Sequence, residues 1–144
     1  MKEISLREAM SVSMRASIDA RVLVFSPEHL FLPFMRDFQV RIILAGVNVE
    51  HGVLSEMLLE YVSSRPVSNA PLVQPPELSP SFVKVMARLK EKNVREPHGR
   101  HFLEAYAYCG LDEKWSDPEC VVPSLLAQRH SRINFLVYGD LPGA

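Results

Sequence analysis

The chain has 144 residues, 47% hydrophobic and 23% charged, with 16 Lys and Arg against 17 Asp and Glu. That length makes one domain that buries roughly 70% of the surface exposed on unfolding, so the fold needs neither a metal nor a disulfide. Average apolar content with a net charge of −1 excludes wholesale disorder, a general nucleic-acid coat and a polybasic membrane anchor.

Taken in chain order, Leu6, Met10, Met14 and Ile18 recur at spacing four and predict a helix from about Ser5 to Ala20 with that stripe inward. Ser26-Pro27-Glu28 is a helix start: a capping hydroxyl, a proline at the first helical position and an acid in the positive first turn. Pro33 interrupts soon after, which leaves Phe34 to Ala45 as the firmer helix, stopped by Gly46. Asn48 then caps a helix whose positions Val53, Leu54, Met57, Leu58, Tyr61 and Val62 follow the core-face pattern.

Five prolines between Pro66 and Pro80 mark a connector through which neither a helix nor a central strand runs. The chain thus divides into a helical half, 1–65, the connector, 66–80, and a second half, 81–144, with the halves packed together because each alone is marginal. No internal repeat is visible. Ser79-Pro80 repeats the start signal for a helix carrying Phe82, Val85, Met86 and Leu89. A second helix runs from His98 to Cys109, and a third opens at Asp117-Pro118-Glu119. In the tail, Ile133, Phe135 and Val137 alternate with their neighbours, predicting a strand over 132–138 that pairs with 22–25. The expected fold is mainly α, about six helices with this minor β element.

Four chemistries were weighed. His98, His101, Cys109 and Cys120 supply the ligand types of a tetrahedral zinc site, but without a short-spaced Cys pair the spacing is poor, and no metal or other cofactor is expected. No nucleophile elbow, phosphate loop or HExxH helix is present, so no catalytic residue is selected and the expectation is a protein that is not an enzyme. Six bases, Lys84, Arg88, Lys90, Lys92, Arg95 and Arg100, face only Glu91 and Glu96 in the interval 84–101. With His101 they give the alternative reading, a small helix-turn-helix-like regulator that binds nucleic acid.

The favoured reading is an adaptor or regulator that binds another protein or a second copy of itself. Leu30, Phe31, Leu32, Phe34 and Met35 crowd around Pro33, and a single helix cannot turn them all toward one core. Part of this segment should then form an exposed apolar patch and serve as the partner-binding surface. No stretch reaches the ~20 apolar residues of a membrane span, the first ten residues lack a signal-peptide pattern, and two cysteines suit a reducing compartment. A cytoplasmic location without membrane attachment is expected.

Overall fold

The computed structural model describes residues 2–139. Among them are α1 (Leu6–Asp19), β1 (Val24–Phe25), α2 (Pro27–Phe34), α3 (Phe38–Gly46), α4 (His51–Ser63), β2 (Glu77–Leu78), α5 (Pro80–Glu91), α6 (Gly99–Cys109), α7 (Val122–Ala127) and α8 (His130–Tyr138). The mainly helical class holds, with eight helices in place of six among the described residues.

The tail corrects the sequence reading. Residues 130–138 form α8, not a strand, because Ile133 and Val137 lie four apart and share one helical face. A short alternating run fits both periods, and packing of α8 on α6 decides between them. Gly139, at φ 76°, closes the helix through its N–H to Phe135 O at 2.7 Å. The strand at 24–25 pairs instead with the connector, Val24 with Glu77 and Phe25 with Leu78 in parallel register, while Val22 bridges Val67. Prolines leave enough donors for this edge: Glu77 N–H reaches Leu23 O at 3.2 Å and Ser79 N–H reaches Phe25 O at 3.0 Å.

Three helix boundaries also move. Pro33 lies inside α2 one residue before its end, where it costs at most one i→i−4 bond. The left-handed residue after α3 is Asn48 at φ 61°, not Gly46, and Asp117 caps a tight turn to Glu119 N–H instead of a helix.

One core cluster draws on both sides of the connector. Its centre is α6, where every residue from His101 to Ala107 is buried, and α3, α5, α7 and α8 pack around it. Such an all-round buried helix needs its polar residue paired. Glu104, fully buried, accepts from Arg88 Nη2 at 2.8 Å and lies 2.7 Å from His130 Nε2. Gly99 opens α6 because a Cβ there would stand 2.8 Å from Val40 Cγ2 and 2.9 Å from both Asp37 Oδ2 and a Phe34 ring carbon. On the other side of this corner, Asp37 accepts the N–H groups of Ile4 at 2.6 Å, Gln39 at 2.8 Å and Val40 at 3.1 Å, which seats the N-terminal segment against α3.

The structure also reveals a repeat that the residues conceal. A serine caps α1 (Ser5 to Glu8 N–H) and α5 (Ser79 to Phe82 N–H). Left-handed residues, Arg21 and Asn93, follow each helix, and each chain then enters a turn in which a histidine ring caps the next helix. Ser26 N–H donates to His29 Nδ1 at 3.0 Å and His98 N–H donates to His101 Nδ1 at 2.9 Å. Thus α1–α2 and α5–α6 share one order of serine cap, left-handed residue and histidine cap.

Candidate functional site

The first turn of α2 stands between two cavities. On one side lies a groove of about 640 Å³ between α1 and α2. Its floor is the small-residue face of α1, Ala9, Ser13, Ala16, Ser17 and Ala20, joined by Val12, Val22, Leu32, Pro33 and Val62. This face differs from the predicted one. Ala9, Ser13 and Ser17 are the buried line, Leu6, Met10 and Met14 flank it half-buried, and Ile18 is 38% exposed. Small side chains let α1 approach α2 closely along that line, and the same small side chains leave space above it. Ser13 is satisfied within its own helix, its hydroxyl donating to Ala9 O at 2.6 Å.

His29 borders this groove and is only 4% exposed. Its Nδ1 accepts from Ser26 N–H and lies 2.8 Å from Ser26 Oγ, so in the neutral ring the proton sits on Nε2. That Nε2–H is buried without a hydrogen-bond partner among the described residues. Burial, followed by the charge of Arg65, lowers the His29 pKa to about 4 and keeps the ring neutral. At the opposite end of the groove, where α2 finishes beside the start of α1, Lys2 and Arg36 line the opening.

On the other side of the turn is a cavity of about 540 Å³ reached by Ser26, Glu28, Tyr61, Arg65, Trp115 and Asp117. Glu28 is 3% exposed and accepts from Tyr106 Oη at 2.6 Å. Burial raises its pKa, and the Tyr106 bond offsets this in part. Asp117 accepts from Glu119 N–H, which contributes most to lowering its pKa, and from Tyr61 Oη at 3.0 Å and Arg65 Nη1 at 2.7 Å. Two carboxyl groups whose pKa values are pushed apart form the pattern of an acid–base pair. Here each is held by protein donors, so the arrangement ties α2, α4, α6 and the 117–119 turn together.

No known family model matches the chain, and no curated protein matches it. The residues themselves therefore carry the reading.

The segment 30–35, expected to be exposed, is mostly interior. Leu30, Phe31, Phe34 and Met35 are buried, and Leu32 alone among the five is half-exposed, at the groove. The interior accepts them because α2 is clasped from several sides: Phe31 meets Phe102 and Tyr106 edge-on at 5.3 and 5.0 Å, and Phe34 lies 5.1 Å from Phe102. Each ring so buried stabilises the fold by roughly 1.5–3 kcal/mol, a strong pull against exposure. The segment does not form an exposed patch.

Three of the six bases are paired with acids. Arg88 pairs with Glu104 and Glu91, Lys84 with Asp112 at 3.9 Å, and Arg100 with Glu3. Lys92 stands over the Tyr138 ring, leaving Lys90 and Arg95 without an acidic partner among the described residues. His101 is buried, with burial lowering its pKa to about 4, and it caps α6 instead of facing outward as a reader of bases. The four residues considered as zinc ligands are not gathered. Among the described residues no group of three His, Cys, Asp or Glu is placed to hold a metal ion. Burial pushes the Cys109 thiol up to about 11 and the Cys120 thiol up to about 12, opposite to the activation a nucleophile needs.

Sequence reasoning missed His29 and Arg36, and read Glu28 only as a helix-start acid. The signal for His29 was its place three residues after the Ser26 cap, where a side chain reaches back to the cap N–H. Nothing local in the sequence marks Asp117 as a neighbour of Glu28 across the second cavity.

Proposed function

We propose that the protein is a non-enzymatic, cytoplasmic interaction protein that binds a partner protein through the groove between α1 and α2. The observation that carries this is the groove's make-up: about 640 Å³, chiefly apolar or small in lining, with one buried donor at His29. Volume and lining of this kind suit a ligand's apolar side chains. Val12, 56% exposed, and the exposed Ala16 and Ala20 extend the same surface to solvent on α1. Among the described residues no single helix is long and apolar enough to cross a membrane.

Ala16→Arg tests the assignment, because it fills the groove from an exposed position without entering the core. A photo-crosslinking residue at Val12 should capture a discrete partner in the native host, and Ala16→Arg should abolish that capture while the circular dichroism spectrum and melting temperature hold. Undiminished capture by the Ala16→Arg variant would remove the groove from consideration.

A further inference from the structure

Beyond its apolar middle, the groove has one charged end. Lys2 and Arg36 border it, and the same two side chains border an adjoining cavity of about 550 Å³ completed by Phe38, Arg41, Ile42 and Ala45. The two hollows therefore lie side by side, with Lys2 and Arg36 lining both. Lys2 is paired with Glu8 at 2.8 Å, but Arg36 and Arg41 are exposed and have no acidic partner among the described residues. Three cations against the single carboxylate Glu8 leave this end positive. The opposite end, near His29, Ala20, Val22 and Val62, holds no charged group in its neutral-histidine form.

Resting on the proposed partner-binding role of the groove, we infer that its occupant is an amphipathic helical segment of another protein, apolar or small on the face that enters, with acidic residues at the end lying over Lys2, Arg36 and Arg41. A helix fits the geometry for a definite reason. The exposed positions of α1 in the groove, Val12, Ala16 and Ala20, recur at spacing four above the buried Ala9, Ser13 and Ser17, a ridge of modest side chains that a second helix can approach. The apolar middle gives such a segment its burial, and the positive end fixes its direction, since the reversed segment would place acids beside the uncharged end.

A fluorescent 16-residue peptide tests this, built of alanine with leucines at every third and fourth position and three glutamates in its last turn. Its counterpart carries three lysines in place of the glutamates. The acidic peptide should bind at least tenfold more tightly than the basic one by anisotropy, and the difference should shrink as salt is raised to ~0.5 M. Arg36→Glu/Arg41→Glu, at exposed positions, should reverse the preference, and Ala16→Arg should eliminate both.

Equal binding of the two peptides, lost on Ala16→Arg, would overturn the charge inference and leave the groove reading standing. Binding that survives Ala16→Arg, or no binding by either peptide, would overturn both. Vesicles of phosphatidylglycerol that bind the protein in an Arg36- and Arg41-dependent manner, with neither peptide competing, would overturn the helical partner in favour of a lipid surface.

Discussion

Helices α1 and α5 open the two copies of the repeated arrangement, yet they bury opposite kinds of side chain. Along α1 the buried positions are Ala9, Ser13 and Ser17; along α5 they are Phe82, Val85 and Leu89. Both helices lie against a histidine-capped partner, α2 and α6, and they differ in side-chain volume at the contact. Large residues on α5 complete an interface, and small ones on α1 leave a groove. The hollow left at α1–α2, about 640 Å³, is larger than the one of about 470 Å³ beside Ala87, Arg88 and Tyr108 at α5–α6, and it borders His29, whose Nε2 is buried without a hydrogen-bond partner among the described residues.

Phe82→Ala should break the filled copy most severely. Phe82 is 3% exposed and stands edge-on to Phe25 at 5.3 Å, so truncation should cost about 3–5 kcal/mol in urea unfolding. A loss under 1 kcal/mol would mean that the α5 interface is as loose as that of α1.

Acidification should strike both copies alike. His29 and His101 are held neutral with pKa values of about 4, below the 6.5 of a free imidazole. The unfolded chain therefore binds more protons between those values, and stability present above pH 6.5 is lost as pH falls toward 4. Each ring accounts for roughly 3 kcal/mol across that window, at 1.36 kcal/mol per unit. Glu28 works in the opposite direction: its raised pKa favours the fold at low pH and withdraws that support as pH rises past its folded value. A urea midpoint that stays flat from pH 6.5 to 4 would contradict the neutral-ring account of both turns.

The smallest effect belongs to the open copy. Ala16→Leu adds bulk on an exposed, groove-lining position and should change stability by no more than about 0.5 kcal/mol, while closing the groove to a ligand. A destabilisation comparable with that of Phe82→Ala would show that α1 and α2 already fill their contact.

Much of the helical framework was readable from local chemistry. Ser26-Pro27 and Ser79-Pro80 mark helix starts because a hydroxyl and a proline act within a single turn, and both starts lie where they were expected. The tail was misread because Ile133, Phe135 and Val137 satisfy a period of two as well as a helical face, and only contact with α6 separates the two. The segment 30–35 was misread for a related reason. Its sequence shows how much apolar bulk it carries, but not that Phe102 and Tyr106, some seventy positions on, wrap it. The groove was invisible because it arises from what α1 lacks, and alanines and serines in a helix give no sign of the side on which a neighbour stops.

The connector pairs with β1 and then leads into α5, while its middle carries Val73 almost wholly in solvent at 98% exposure. A protease that cuts near this residue would sever the covalent link without touching the shared core, so the two fragments should co-elute as a native-like pair and part only in denaturant. The core shared by the two segments, rather than the link at Val73, would then hold the nicked molecule together.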